Sequence, residues 1–325
     1  MGSNTPSGAD NIITLCCEHG VNVSASDLEL IVAGASGRVV MRVHQNAEPA
    51  GIIGVYWTAS RADNNSFVVA TEGLSRMGVR VPRLLRYRDE GNGCGTCLVE
   101  DLGSHDLLSL KEDLSARKLE AYRAAIAEVS RLHSLTPDWL LQPAFDAALY
   151  RWEQGYFAEH FLGTHLGLNP EEFMALPYTS AMADWLAELP RVPVHRDFQS
   201  QNIMLLPQGV ALIDYQGMRY GRAEYDLASL VYDPYMALND AEVESLLKHY
   251  ECVTQSVLQP DIFHACALQR LMQALGAYAN IGYNQQRNWY LEMIPQGVKA
   301  LRSVAAQVSP QSPAFPLAQW LQNHV

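Results

Sequence analysis

The sequence predicts an α+β protein of two unequal lobes: a small antiparallel β lobe over residues 1–102 and a larger helical lobe over residues 103–325. Three observations carry this reading. Short runs rich in β-branched residues, separated by glycine turns, crowd the first hundred residues. From Leu119 onward, apolar residues recur at helical intervals instead. The change of pattern falls at Glu100-Asp101-Leu102-Gly103. With 325 residues, 48% hydrophobic and 18% charged, the chain has an ordinary globular composition and ample length to bury a core.

The elements follow in order. Ile12, Ile13, Leu15 and Cys16 mark the apolar side of an opening helix. Leu28, Leu30 and Ile31 lead into Ala33-Gly34-Ala35-Ser36-Gly37, after which comes Val39-Val40-Met41-Arg42-Val43: strand, glycine turn, strand. Residues 51–56 read as the next strand. Phe67, Ala70, Leu74 and Met77 sit at helical spacing and predict a short helix. Residues 81–87 and 96–99 read as two more strands joined by a glycine-rich turn. Beyond the boundary, Leu119, Tyr122, Ile126, Val129 and Leu132 define a helix. Residues 140–190 continue as helical segments around the breakers Gly163, Pro170 and Pro177, and residues 240–307 are again helical.

Charge narrows the partners. There are 23 basic and 35 acidic residues, a formal balance of −12, which disfavours duplex DNA and anionic membranes. No run of about 18 apolar residues predicts a transmembrane helix. Met1–Asp10 lacks the basic start of a signal peptide, and Pro6 breaks the myristoylation pattern after Gly2. Cys94 and Cys97 form a single CxxC without the second pair that zinc needs, so the six cysteines are expected as reduced thiols in a cytoplasmic protein. The expected partner is a small molecule, with no nucleic acid and no membrane, bound by a monomer or dimer. Only four residues are lysines (Lys111, Lys118, Lys248 and Lys299), and none lies in the first 110 positions.

The chemistry concentrates in residues 192–217. Val192-Pro193-Val194 leads into His195-Arg196-Asp197-Phe198-Gln199-Ser200-Gln201-Asn202. Residues 203–206 and 210–213 are two apolar runs joined by Pro207-Gln208-Gly209, a hairpin signature. If Leu206 faces Val210, then Asn202 faces Asp214, with Cβ atoms about 5 Å apart. An amide oxygen and a carboxylate at that spacing suit Mg²⁺, which takes one or two protein carboxylates plus water and phosphate. Asp197, on the loop at the same end, is left for a proton. That layout is the one phosphoryl transfer requires. A polar loop with capping Asp and Asn residues accounts for each residue singly but not for the joint His-Arg-Asp-x4-Asn and Asp-x-x-Gly spacing.

On these residues the chain, over positions 30–305, resembles the aminoglycoside phosphotransferase and choline kinase-like superfamily. The resemblance implies a bilobal protein-kinase-like fold and transfer of the ATP γ-phosphate to a small hydroxylated molecule. It implies Asp197 as catalytic base, Asn202 and Asp214 as Mg²⁺ ligands, His195 as a loop-shaping residue and Asp226 as a buried brace; for Asp226 a helix N-terminal acid serves equally well. Tyr215-Gln216-Gly217 after Asp214, and Tyr225-Asp226-Leu227-Ala228-Ser229-Leu230 in place of an Ala-Pro-Glu element, look like the small-molecule branch. Glu100-Asp101-Leu102-Gly103, Asp233-Pro234-Tyr235 and Leu268-Gln269-Arg270 through Leu275-Gly276 to Tyr290 are similar to the bacterial anomeric N-acetylmuramate/N-acetylglucosamine kinases of cell-wall recycling. That likeness implies the C1 hydroxyl of an amino sugar as acceptor. An aminoglycoside or choline-like acceptor is one alternative; a weakly active, nucleotide-binding pseudokinase regulator is another.

For the nucleotide, the candidates are Gly34, Ser36, Gly37 and Arg38 in the glycine turn, whose backbone N–H groups could cover phosphates, with Glu100 and Leu102 as an interlobe hinge. A tight hairpin explains the glycines as well. A protein kinase holds the phosphates with a lysine on its third strand. Here none exists, which leaves Arg38, Arg42 or Arg61 to supply the charge, and Glu72 reads as a solvated acid. For the acceptor, the candidates are Gln199, beside the base, and Trp152, Glu153 and Tyr156 at helical spacing, an aromatic face with polar groups suited to a sugar ring. Asn280, Tyr283 and Asn284 are a similar set. His133 reads as a structural histidine.

Overall fold

The computed structural model describes residues 8–31, 38–44, 51–60, 62–113 and 115–325. The first lobe is built on a five-stranded antiparallel sheet. Its strands are β1 (Leu28–Ile31), β2 (Val39–Val43), β3 (Ile52–Trp57), β4 (Leu84–Gly91) and β5 (Cys94–Glu100), in the order β1-β2-β3-β5-β4. Strand alternation sorts β2 onto two faces. Met41 and Val43 turn to one side, where with Ile52 and Leu98 they bury Ile12, Leu15 and Cys16 of helix α1 (Ala9–Glu18). Arg38, Val40 and Arg42 turn to the other and line the cleft below. α1 lies close because β3 offers it Gly54, where a Cβ would come within 2.4 Å of the Ile12 side chain.

Helix α2 (Phe67–Arg76) closes the lower face of the sheet with Phe67, Ala70 and Leu74. The fourth strand starts later than the sequence suggests. Pro82 has no N–H for a ladder, and Val79 and Val81 are buried in the main core before β4 begins at Leu84. The turn to β5 runs through Asn92 (φ 53°) and Gly93 (φ 75°), the paired left-handed residues of a two-residue hairpin.

The second lobe opens with α3 (Ala116–His133), whose buried stripe of Tyr122, Ile126, Val129 and Leu132 is the expected one. Helix α4 (Ala147–Phe157) runs on into a π-helical stretch, Ala158–His165, so Gly163 lies inside this continuation and does not break it. Pro170 and Pro177 start helices rather than stop them, standing at the heads of α5 (Pro170–Met174) and α6 (Pro177–Glu188), where a missing N–H costs nothing. Two short antiparallel pairs then carry the loops of interest: β6 (Val192–Val194) with β9 (Arg219–Gly221), and the hairpin of β7 (Ile203–Leu205) with β8 (Val210–Leu212). Helices α7 (Ala223–Val231), α8 (Asp240–Thr254), α9 (Pro260–Asn284), α10 (Ile294–Gln307) and α11 (Phe315–His324) complete the lobe. One apolar cluster runs from Val55 and Trp57 on the sheet, through Phe67 and Leu74, down to Leu317 and Leu321. The two lobes therefore share a core.

The β7–β8 register corrects the expected one. Leu205 faces Val210 and Ile203 faces Leu212, so Asn202 stands opposite Ile213 and not Asp214. The Leu206 N–H bonds the Gly209 carbonyl at 3.1 Å, leaving a turn of Pro207 and Gln208 alone. This two-residue turn, shorter than the three residues inferred from the apolar runs, moves every pair by one.

Candidate active site

The loop between β6 and β7 carries His195, Asp197, Gln199 and Asn202, and buried acids from α7 and the turn after it hold its shape. Asp226 accepts hydrogen bonds from the backbone N–H groups of His195 (2.7 Å) and Arg196 (2.8 Å) and lies 3.1 Å from His133 Nε2. Asp226 is fully buried, and its carboxylate fixes two successive amides, one of them belonging to Arg196 at φ 78°. A non-glycine residue at positive φ persists only where its surroundings hold it. Further along, Asp233 accepts from the Ser200 N–H at 2.8 Å and the Tyr235 N–H at 3.0 Å. The buried His195 ring spans to the next loop, donating from Nε2 to the Ile213 carbonyl at 2.9 Å. It thereby ties the loop of Asp197 to the strand end that presents Asp214. His133 packs beneath, against Tyr250.

Three side chains converge on the cleft from this frame. Asp197 and Asn202 line it, and the Asn202 amide nitrogen donates to the Asp197 carbonyl at 2.8 Å, which leaves the Asn202 oxygen as the group available to a cation. The Asp197 carboxylate accepts no hydrogen bond from the described residues, which leaves its oxygens open to the cleft. Asp214 stands at φ 65° at the head of the second loop. Its carboxylate accepts from Gln216 Nε2 at 3.0 Å and pairs with the Arg38 guanidinium, which also donates to Gln216 Oε1 at 3.0 Å. Burial opposes ionisation of Asp214. The Arg38 charge, the Gln216 amide and His195 outweigh it, and the carboxyl titrates below its ordinary range. One amide oxygen and one ionised carboxylate form the hard-oxygen donor set that Mg²⁺ uses alongside phosphate. No group of three or more His, Cys, Asp or Glu among the described residues gathers into a site of the zinc type. All six cysteines are free, and burial pushes the Cys97 thiol up to about 12.

The cleft encloses about 680 Å³, within the range of small-molecule sites. Its upper wall is Ile31, Val40, Ile53 and Val55 of the sheet, and its back is the chain from Glu100 to Gly103. There the Glu100 carboxylate turns aside to Arg80, with contacts of 2.8 and 2.9 Å, and its N–H bonds the Arg83 carbonyl. The Asp101 N–H goes to Gly51, and Leu102 follows along the cleft. Of the glycine-turn candidates, Gly34, Ser36 and Gly37 lie outside the described residues, as does Arg61. Arg38 is at the cleft, on Asp214. Arg42 is bound to the hinge, at 2.6 Å from Asp101 and 3.0 Å from the Gly103 carbonyl. Glu72 is exposed.

The acceptor candidates separate. Gln199 lines the cleft, its side-chain oxygen 3.4 Å from buried Arg270. Trp152 and Glu153 do not line it. Glu153 is 0% exposed, and its oxygens are taken by the Tyr225 hydroxyl and Gln269 amide at 3.0 Å each, so it is a core residue rather than an acceptor contact. Burial pushes its carboxyl up, against the pull of Arg196 and these bonds. Trp152 is 54% exposed and stacks on Tyr156 at 5.3 Å, outside the cleft; Asn280 joins the same surface by donating to the Tyr156 hydroxyl. Helical spacing puts Trp152 beside Tyr156, but it does not show that Glu153 turns into the core or which side of α4 faces the cleft. Phe67, Tyr215 and Tyr290 are the aromatic residues that line the cleft, and Tyr290 packs on Trp289 with ring centroids 4.0 Å apart.

A β-rich lobe over a helical one, with an acid, an amide and a second acid meeting at the crease between them, defines a kinase of the protein-kinase-like fold that phosphorylates a hydroxyl acceptor. The chain belongs to the phosphotransferase enzyme family, whose model matches residues 31–260. It is similar to the N-acetylmuramate/N-acetylglucosamine kinase of Pseudomonas aeruginosa, with 27% identity over 75% of this chain and 74% of the relative. Among solved structures it is similar in fold to a Plasmodium vivax ethanolamine kinase, at TM-score 0.62 and 12% identity over 90% of this chain and 85% of that one. It is similar also to a thermostable mutant of an aminoglycoside phosphotransferase in ternary complex with AMP-PNP and hygromycin B, at TM-score 0.55 and 15% identity over 91% of this chain and 99% of that one.

Proposed function

We propose that this kinase uses MgATP to phosphorylate a sugar, and that its acceptor is the anomeric C1 hydroxyl of N-acetylmuramate or N-acetylglucosamine. The observation that carries the transfer chemistry is the trio at the crease: Asp197, whose carboxylate accepts no hydrogen bond from the described residues, Asn202 with its amide nitrogen tied back, and ionised Asp214, all lining one cleft. Asn202 and Asp214 would hold Mg²⁺, which neutralises phosphate charge when bound. Asp197 accepts or orients the acceptor proton. The hinge backbone at Leu102 and the apolar wall of Val40, Ile53 and Val55 receive the adenine. The neutral amide of Gln199 and the Tyr290 ring receive the acceptor, an amphipathic pairing that suits a sugar better than a polycationic drug. The likeness to the Pseudomonas kinase over three-quarters of both chains supports the amino-sugar choice.

ATP consumption against a panel of amino sugars, aminoglycosides and amines tests the substrate class, and ³¹P and ¹H NMR of the product locates the phosphate. A C1 phosphate on an amino sugar supports the proposal; turnover restricted to aminoglycosides or amines overturns it. Replacing Asp197→Asn is expected to lower kcat by about 10²–10⁴-fold, the contribution of a positioned base, with nucleotide affinity unchanged in calorimetry. Retained turnover in that variant would remove Asp197 from the role.

A further inference from the structure

We infer that Arg38 is the phosphate-holding cation of this enzyme, reaching the cleft from β2 in place of a lysine on β3. This assignment rests on the MgATP reading above. The cleft-facing residues of β3 are Ile53 and Val55, neither of which carries charge. Val40 pairs directly with Val55 across the sheet, so Arg38, two residues earlier on the same face, stands diagonal to Val55. That diagonal is within reach of a long side chain. Arg42, the other arginine on this face, is spent on the hinge through Asp101 and Gly103.

The guanidinium of Arg38 is positioned where the phosphates of a metal-bound nucleotide must come. It pairs with Asp214 and bonds Gln216, so it already sits against a proposed metal ligand. α2 supports it without a carboxylate. The Arg38 guanidinium carbon lies 5.6 Å from the centre of the Phe67 ring, at the head of α2. Phe67 stacks in turn on Tyr215 at 5.6 Å and 7°, and the Tyr215 hydroxyl meets Thr71 at 2.7 Å. An aromatic face therefore does for Arg38 what a helix glutamate does for a kinase lysine: it fixes the direction of the cation. It does so without competing for the charge, because a ring attracts a guanidinium more weakly than a carboxylate does. With Asp214 and Asn202 holding Mg²⁺, the planar fork of Arg38 would be available to phosphate oxygens, which a guanidinium matches bidentately.

The test is calorimetric binding of ATP, AMP and adenosine, each with and without Mg²⁺, to the wild type, Arg38→Ala and Arg38→Lys. Losing a charged hydrogen-bond donor is expected to weaken MgATP by roughly ten- to a hundredfold while adenosine stays within about twofold. Arg38→Lys is expected to recover part of the loss. An equal loss for adenosine and ATP would make Arg38 a structural residue only, and unchanged ATP affinity would also overturn the assignment. Arg38→Gln, which keeps hydrogen bonding to Asp214 and Gln216 without the charge, is expected to give the same ATP-selective loss and covers the case in which Arg38→Ala does not fold. Because binding is read without an acceptor, the assignment stands if the substrate proposal fails, and falls if MgATP does not bind the wild type.

Discussion

At the scale of single residues, Asp226 does the most for the site without entering it. Its two oxygens hold consecutive amides of the β6–β7 loop, and one of them also meets His133. Asp226→Asn keeps the size but turns one acceptor into a donor facing N–H groups. The variant is expected to lose about 2–4 kcal/mol of stability in denaturant titration, the scale of a broken buried charged network. Its kcat is expected to fall more than its affinity for nucleotide. A variant with wild-type stability would reduce Asp226 to a helix-end acid. The sequence allowed both readings, because the amides it binds are 30 and 31 positions away and only the fold brings them together. Asp233 and Ser200 were hidden for the same reason. That Asp197, Asn202 and Asp214 come to one cleft was legible because they lie close together along one loop and hairpin, although the pairing expected across that hairpin was off by one residue.

At the scale of elements, what was readable tracks what periodicity encodes. Strand alternation in β2 and the buried stripe of α3 follow directly from side-chain direction. Turn length and the rotation of a helix in its surroundings do not. The Pro207-Gln208 turn shifted the β7–β8 pairing by one residue, and α4 turned Glu153 into the core and Trp152 out to solvent. The sheet itself is steadied by α1, which buries Ile12, Leu15 and Cys16 against its outer face. Gly54→Ala places a methyl group inside the van der Waals surface of Ile12 and is expected to cost about 1–3 kcal/mol, the usual range for overpacking. Combining it with Ile12→Ala, which removes the γ-carbons that the new methyl meets, should cost less in thermal denaturation than the two single losses added together; strictly additive losses would refute the contact.

At the scale of the whole molecule, the lobes meet through the continuous core and through the Arg38–Asp214 ion pair. Burial opposes the Asp214 charge, yet the pair and its neighbours keep the carboxyl below the unfolded value of about 3.9. Such a group contributes stability above that pH and loses it as pH falls through the folded value. The thermal midpoint is therefore expected to drop below about pH 4, and calorimetry should find the drop shallower in Asp214→Asn; parallel curves would exclude the pair as the cause. The cleft between the lobes has a further consequence. It is lined by Arg38, Arg42 and Arg196 and by no lysine, while Lys111, Lys118, Lys248 and Lys299 all belong to the helical lobe. Acylating nucleotide probes that mark kinases through a cleft amine have nothing to react with here. Amine coupling to a dye or a surface leaves the cleft walls untouched, so this enzyme can be labelled or immobilised from its lower lobe without occupying the site.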